Sequence, residues 1–194
     1  MIDLSSIQFN IQSEFHMLRH FEILDDNLQQ KLLENNFTPL QLQEELSLSG
    51  SRFFSFFATD IPQLLYKILQ QPYKQSVGLN GNLIIESNFN KEQCPNGIGS
   101  KAVIPLNLLS TTEQQNIYYE NNRNYPIAHF LVNHLPSTQD CTLILKPITN
   151  GYLFISAFPG EQAMPIPSEN MKIELFEACK DYWSKHIFLK LNTI

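Results

Sequence analysis

Cysteine, glycine, tryptophan and charge are all scarce in this chain of 194 residues. Three cysteines without a Cys-x-x-Cys pair argue against a zinc ribbon and a disulfide framework, so reduced thiols and no disulfides are expected. Charged residues at 16% exclude a coiled coil, and hydrophobic residues at 43% exclude a disordered chain.

Long apolar runs are also missing, since none approaches the roughly 18 residues that a membrane-spanning helix needs. The first residues have neither the basic region nor the apolar region of a signal peptide. We therefore expect a soluble protein that is cytoplasmic, or is secreted by a route without a conventional signal peptide.

Acidic side chains are concentrated in the first half of the chain, and the net charge of the whole is −6. Residues 1–97 hold six basic and eleven acidic side chains, whereas residues 98–194 hold seven and eight. Because an acidic surface repels a polyanion, contact with a nucleic acid is expected in the second half.

Residues 1–75 are predicted to form a helical subdomain. Apolar residues at spacings of three and four are typical of an amphipathic helix, and here they are Phe15, Leu18, Phe21, Leu24, Leu28 and Leu32. Thr38, Pro39 and Gln41 form a capping-box pattern that predicts a helix through about residue 46. Asp60 repeats the start signal, and Pro72 ends the segment.

Residues 76–194 are predicted to form an antiparallel sheet and a long C-terminal helix packed on it. Asn80-Gly81 and Asn150-Gly151, each between apolar runs, are strong β-hairpin signals. Ser168 is the expected cap of the last helix, whose apolar stripe is Ile173, Phe176, Cys179, Trp183 and Ile187. The predicted fold class is α+β, with one continuous domain as the alternative to two.

A pair of histidines at helical spacing, His16 and His20, matches a partial metal site. Nothing nearby has the spacing of a third or fourth ligand. We therefore expect neither a metal nor another cofactor.

Residues 42–54 resemble the first helix and turn of a DNA-binding helix-turn-helix. The second helix would carry only Arg52 among phenylalanines, in place of the polar side chains that read base edges. DNA binding is therefore the least favoured alternative.

Four phenylalanines follow that turn: Phe53, Phe54, Phe56 and Phe57. Neighbouring positions on a helix differ by about 100°, so one core cannot take all four rings. A contiguous exposed aromatic patch marks a contact site. The segment therefore predicts a protein-binding surface, in an effector or an immunity-type protein.

The second half also carries the residue types that metal-free RNA cleavage needs. That reaction requires a base for the 2′-hydroxyl, an acid for the leaving 5′-oxygen, and donors that hold the phosphate. His129 and His134 suit the proton transfers because histidine titrates near neutrality. Thr142, Ser156 and Arg123 are the candidate contacts to the phosphate.

Five segments of this half, 97–106, 142–145, 155–160, 165–167 and 182–186, follow one another in a recognisable order. The order resembles that in metal-independent ribonuclease toxin tails of bacterial polymorphic and contact-dependent toxin systems, the barnase-like and RelE-like group. The family often has a threonine before Ala-Phe-Pro-Gly, where this chain has Ser156. The helical first half has no counterpart in the family.

The resemblance implies a C-terminal ribonuclease-like domain that acts on RNA, or an inactive descendant that binds protein. His186 is a third candidate acid or base if the last helix folds back over the sheet. Strict strand alternation would bury Leu153, Ile155 and Ala157, and would turn Ser156 outward toward such a site.

Overall fold

The computed structural model describes residues 2–23, 25–48, 50–122 and 125–192. The chain forms two compact units, each built from two stretches of sequence. The first unit is Met1–Lys101 with Ser137–Glu161, and the second is Ala102–Pro136 with Gln162–Ile194. The predicted boundary at residue 75 therefore lies inside the first unit.

Helices and strands are both well represented in the described residues. The helices are α1 (Ile11–Met17), α2 (Asp26–Glu34), α3 (Pro39–Ser47), α4 (Ile61–Leu69), α5 (Thr111–Gln114) and α6 (Ile173–Lys185). The strands are β1 (Ile7–Gln8), β2 (Arg52–Phe53), β3 (Tyr73–Val77), β4 (Leu83–Asn88), β5 (Gly99–Ser100), β6 (Val103–Pro105), β7 (Tyr118–Asn122), β8 (Tyr125–Val132), β9 (Ser137–Thr138), β10 (Asp140–Ile148), β11 (Gly151–Pro159) and β12 (His186–Leu191). Helices combined with largely antiparallel sheets confirm the predicted α+β class.

Side-chain caps start two helices where the sequence predicts them. At the start of α3, the Thr38 hydroxyl accepts a hydrogen bond from the Gln41 amide, and the Gln41 side chain accepts one from the Thr38 amide. At the start of α4, the Asp60 carboxylate accepts a hydrogen bond from the Gln63 amide at 2.7 Å. Both caps satisfy amides that have no partner within the helix.

The apolar stripe predicted over residues 15–32 is divided between two helices. α1 ends at Met17, and a 3-10 turn follows at Leu18–His20. Asp25 then caps α2 by accepting hydrogen bonds from the Asn27 and Leu28 amides, each at 3.0 Å. The extended backbone of an N-cap stops a helix from running through it. Leu24 of the predicted stripe lies outside the described residues.

A five-stranded sheet in the order β1-β11-β10-β4-β3 forms the centre of the first unit. All its pairings are antiparallel except that of β1 with β11. A second sheet has the order β2-β5-β9. β1 and β2, which lie within residues 1–75, pair with strands outside that range.

Both predicted hairpins are present. β3 and β4 are joined by residues 78–82, since Val77 pairs with Leu83. β10 and β11 are joined by a tighter turn, since Ile148 pairs with Gly151. Gly151 has a φ of +127°, and a Cβ there would lie 2.2 Å from the carbonyl oxygen of Ser6, so this position requires glycine.

The core of the first unit includes two rings of the phenylalanine segment, Phe53 and Phe57, and Phe54 packs against it. Phe53 is fully buried, and the Phe57 ring lies 5.0 Å from that of Phe89 in an edge-to-face arrangement. Phe56 is 67% exposed, and its ring stacks on Phe54 at 5.2 Å. Two of the four rings are therefore core, because this segment is a short strand and a turn instead of a helix.

The second unit contains a four-stranded sheet in the order β6-β12-β8-β7. β12 is parallel to β8 and antiparallel to β6. On α6, Cys179 and Trp183 are buried, as the stripe predicts. The indole of Trp183 donates to the carbonyl oxygens of Met164 and Pro165, at 3.2 and 3.1 Å.

The predicted C-terminal helix is shorter than expected, and it is not the last element. α6 ends at Lys185, and β12 follows directly. Ile187 and Leu189 are buried with partly buried residues between them, which is the period of a strand. Ile187, expected on the helical stripe, is therefore a sheet residue.

Within the four described ranges, no helix has both the length and the apolar character needed to cross a membrane. Cys94, Cys141 and Cys179 are free thiols. Burial raises the pKa of the Cys141 thiol above its usual value.

Candidate functional site

The predicted site residues belong to two different units. Thr142 and Ser156 lie on β10 and β11 of the first unit. The histidines belong to the second unit, with His129 on β8, His134 shortly after that strand, and His186 at the start of β12. Arg123 lies outside the described residues.

Ser156 does not face solvent. Its side chain is 5% exposed, and its Oγ lies 4.0 Å from the sulfur of Met17 on α1. The neighbouring Ala157 amide donates to the same sulfur at 3.3 Å. The prediction of an outward-facing Ser156 is therefore wrong, because α1 covers this part of the sheet.

A β-bulge explains why the predicted alternation fails on β11. The pairing shifts between Ile144 and Leu145, which face Ser156 and Phe154 respectively. The extra residue reverses the phase of the strand at that point. Phe154 and Ala157 are consequently both fully buried, although strict alternation puts them on opposite faces.

Thr142 is fully buried, and its hydroxyl has a structural partner. The Thr142 Oγ1 donates to the carbonyl oxygen of Gly160 at 2.8 Å. This hydrogen bond ties β10 to the turn that follows β11. Its position is nevertheless informative, because Thr142 lines the cavity described below.

His129 is a buried member of a charged trio in the second unit. Its side chain is 3% exposed, and its Nε2 lies 3.8 Å from a carboxylate oxygen of Glu120. Lys190 donates to both oxygens of Glu120 at 2.6 Å. Burial lowers the pKa of His129, Lys190 lowers it further and Glu120 opposes them, so the imidazole is neutral near pH 7.

The other two histidines have different surroundings. The ring of His186 stacks on that of Tyr182 at 3.8 Å, and its Nδ1 lies 2.8 Å from the Tyr182 carbonyl oxygen. His134 is exposed.

The His16 and His20 pair does not have the surroundings of a metal site. The Nδ1 of His20 lies 2.9 Å from the Ser51 carbonyl oxygen, and burial lowers the pKa of His20 to about 3. Arg19 bonds to Glu45, the carboxylate nearest to His16. Among the described residues, no group of three or more histidine, cysteine or acidic side chains could hold a metal ion.

The segment that would be the recognition helix of a helix-turn-helix is β2 followed by a turn. The Arg52 guanidinium donates to the carbonyl oxygens of Leu46 and Leu48 at the end of α3. Arg52 therefore stabilises the end of α3 through these hydrogen bonds, which is a structural role.

The strongest candidate site is a groove on the five-stranded sheet of the first unit. In register, Lys74 of β3 faces Glu86 of β4, and Glu86 in turn faces Thr142 of β10. Directly paired residues share a face with their Cβ atoms about 4.5–5.5 Å apart. The three side chains therefore form a row across three strands, at the floor of a cavity of about 360 Å³.

One end of this groove is fixed by hydrogen bonds. Asn88 and Asp140 are also paired across β4 and β10, and the Asn88 side-chain amide donates to the Asp140 carboxylate at 2.6 Å. The hydroxyl of Thr138 donates to the other Asp140 oxygen at 3.3 Å, and the Gly160 amide donates to the Asp140 carbonyl at 2.7 Å. Asp140 is held in place, whereas Lys74 and Glu86 are exposed.

The groove carries more negative than positive charge. Its lining includes the carboxylates of Glu86, Asp140 and Glu161 against the single ammonium of Lys74. A surface of this sign gives no long-range attraction for a polyanion, so a phosphate can be held here only by direct contact with Lys74. A ligand that fits here brings one anionic group to Lys74 and hydrogen-bond donors to the carboxylates.

Sequence reasoning missed Lys74, Glu86, Asn88 and Asp140. One pattern in the sequence could have indicated them. On β4, polar residues at 86 and 88 follow the apolar run at 83–85, which is the alternation of a strand with one polar face. The pairing itself was hidden, because a two-residue turn at Asn80-Gly81 would place Lys74 opposite Ser87. The longer loop shifts the register by one residue, which aligns Lys74 with Glu86.

Comparisons of the chain with protein-family models, with curated proteins and with solved structures found no match.

Proposed function

We propose that this chain is a metal-independent RNA-cleaving protein whose reactive site is the groove on the first unit. The observation that carries the proposal is the row of Lys74, Glu86 and Thr142 across three neighbouring strands. It provides a carboxylate base and a cation on one open face beside a rigid hydrogen-bonded end. These are the groups that phosphodiester cleavage by the neighbouring 2′-hydroxyl requires.

In the proposed reaction, the Glu86 carboxylate takes the proton of the 2′-hydroxyl, and the 2′-oxygen forms a bond to phosphorus. The bond from phosphorus to the 5′-oxygen breaks, and that oxygen takes a proton from water in the open groove. The products are a 2′,3′-cyclic phosphate and a free 5′-hydroxyl. Lys74 donates hydrogen bonds to the phosphate oxygens as their charge develops.

The resemblance to ribonuclease toxin tails begins at residue 97, so within this row it includes Thr142 only, and the roles of Lys74 and Glu86 rest on the groove itself. Thr142 contributes to this site as a buried anchor of β10, and Ser156 supports the sheet beneath α1. His134, His186 and Arg123 are proposed as secondary contacts to RNA, which separate substitutions would test, whereas His129 is too deeply buried to reach RNA.

The deciding experiment incubates the purified full chain with tRNA and rRNA in the presence of a chelator. Cleavage is expected, with cyclic phosphate ends, and a substrate with 2′-deoxy sugars stays intact. Glu86→Gln lowers the rate by about 10²–10⁴-fold, the usual contribution of a general base. Glu44→Gln, which changes an exposed carboxylate on α3, is the matched control and keeps full activity.

No cleavage by the wild-type chain, or equal rates for Glu86→Gln and the wild type, contradicts the proposal. Circular dichroism and the urea midpoint of each variant confirm that the comparison concerns folded protein. A requirement for added metal ions likewise contradicts it.

Protein binding is the second candidate, favoured by the exposed ring of Phe56 stacked on Phe54. An acidic first half with an aromatic contact fits an effector or immunity-type protein, including an inactive descendant of a ribonuclease. Phe56→Ser would weaken capture of such a partner, while Tyr66→Ser, which removes another exposed aromatic, would not. Equal capture by both variants counts against this surface.

A further inference from the structure

A second cavity, which we call the amide cavity, opens beside the groove in the first unit. It measures about 630 Å³, within the range of ligand sites. Its lining is rich in side-chain amides and comprises Gln71, Pro72, Asn88, Phe89, Asn90, Lys91, Gln93 and Gln139. It shares Pro72 and Asn88 with the groove, so a ligand extending from one reaches the other.

Hydrogen bonds fix the orientation of two amides so that each leaves an acceptor. Asn88 donates through Nδ2 to the Asp140 carboxylate, which can only accept, and this leaves Oδ1 of Asn88 as an acceptor. Gln139 donates through Nε2 to the Cys94 carbonyl oxygen at 3.3 Å, which leaves Oε1 as an acceptor. Flipping either amide would bring two oxygens together.

A third side-chain amide, that of Asn90, is oriented so that it leaves a donor. Asn90 accepts a hydrogen bond from the Glu92 amide through Oδ1 at 2.9 Å, so its Nδ2 remains a donor. Lys91 is exposed at the same cavity and carries a positive charge. The amide cavity therefore combines two oriented acceptors, an oriented donor and a cation.

We propose that the amide cavity binds a single-stranded RNA base that carries an exocyclic amino group, next to the phosphate in the groove. The inference rests on the proposed function and names its substrate preference. Adenine, cytosine and guanine offer an amino group to the acceptors of Asn88 and Gln139. Uracil has no amino group and offers a single donor, N3–H, so it can satisfy only one of the two acceptors.

The test measures binding instead of cleavage, so that its outcome is separate from that of the reaction. Short 2′-O-methyl oligonucleotides of A, C and U have no free 2′-hydroxyl and therefore cannot be cleaved by the proposed route. Fluorescence anisotropy with the full chain should show that A and C bind about three- to tenfold more tightly than U. That ratio of dissociation constants corresponds to one or two additional neutral hydrogen bonds.

Gln139→Met removes one acceptor at nearly the same length, and it should reduce the preference over U to about twofold or less. Gln139→Asn keeps both the acceptor oxygen and the amide donor, one methylene group shorter, and should keep more of the preference than Gln139→Met does. Gln43→Met, an exposed site on α3, is the matched control and leaves the preference unchanged.

Equal affinity for the three oligonucleotides, no binding at all, or an unchanged preference in a folded Gln139→Met variant overturns the inference. If base preference persists while the wild-type chain cleaves no RNA, the proposed reaction falls and the binding site stands. If RNA is cleaved without base preference, the reaction stands and the inference falls.

Discussion

The two main sheets of this protein handle charged side chains in opposite ways. In the second unit, Glu120 holds Lys190 through both carboxylate oxygens, and His129 is buried beside them. In the first unit, Lys74 and Glu86 are neighbours in register, and both remain exposed in a cavity. A carboxylate that already forms hydrogen bonds with a lysine stabilises the sheet. An exposed lysine and an exposed glutamate in a cavity can instead bind a ligand.

Their hydrophobic cores differ as well. The larger core lies in the first unit, where α4 and the strands contribute many fully buried side chains, among them Phe154. The second unit has a smaller cluster around Ile104, Ile187 and Leu189. A rigid core beneath the groove is what a precisely placed reactive group needs.

The largest expected effect separates the two lysines. Lys74→Met should lower the rate of RNA cleavage by about 10²–10³-fold, since it removes a preorganised donor to the developing charge. Lys190→Met should leave the rate within about twofold of the wild-type rate, because Lys190 forms its hydrogen bonds with Glu120 in the second unit. Initial rates on one RNA substrate in chelator check both, and equal losses would end the distinction drawn between the sheets.

The next effect concerns the cores. Phe154→Ala removes a fully buried ring and should reduce the free energy of unfolding by about 3–5 kcal/mol. Ile187→Val in the second unit removes one methylene group and should cost only about 0.5–1.5 kcal/mol. Urea denaturation measures both, and a loss well below either range would contradict the burial of that side chain.

A third effect depends on pH. The pKa of His20 is about 3 in the folded chain because of burial, against about 6.5 when unfolded. The unfolded state therefore binds a proton first, and stability is lost as the pH falls below 6.5 toward 3. As the pH falls from 7 to 5, protonation of His20 in the unfolded state should lower the free energy of unfolding by about 2 kcal/mol.

Thermal or urea unfolding of the wild type and of His20→Gln at both pH values isolates that contribution. The loss on acidification should shrink in His20→Gln and stay unchanged in His134→Gln, which alters an exposed histidine. An equal pH dependence in all three proteins would show that His20 gains its proton while folded.

The smallest effect is a shift in the pKa of His129, followed by NMR. Lys190→Met removes a cation that disfavours the imidazolium, so the pKa of His129 should rise. Glu120→Gln removes the favourable carboxylate, so the pKa should fall. Shifts of the same sign in both variants would contradict the trio described for the second unit.

Local signals in the sequence were sufficient for the starts of α3 and α4 and for both hairpins, but not for α6, which begins at Ile173 and is not capped by the predicted Ser168. Thr38 and Asp60 cap where predicted because a cap depends on a side chain and an amide only a few residues away. The stripe of α6 was predicted correctly at Cys179 and Trp183, whereas Ile173 is 73% exposed and Ile187 belongs to β12. Residues 186–191 alternate like a strand, and pairing with β6 and β8 stabilises that conformation.

The groove depended on features that no local pattern reveals. The longer loop after β3 decides whether Lys74 meets Glu86, and the bulge on β11 decides that Phe154 shares a buried face with Ala157. Each shifts the pairing by a single residue, which exchanges the two faces of a strand. Histidines chosen by residue type alone therefore lie in one unit, and the open pair of charges lies in the other.

The arrangement of the large sheet also has a consequence for how the chain acquires its structure. Asn88 on β4 bonds to Asp140 across 52 residues, and Met17 meets Ser156 across 139 residues. Contacts so distant in sequence make folding slow. While the ribosome is still adding the middle of the chain, β4 has only β3 as a partner, and its other edge stays unpaired until β10 emerges. Newly made protein should consequently be most prone to aggregation, and most dependent on chaperones, during that interval.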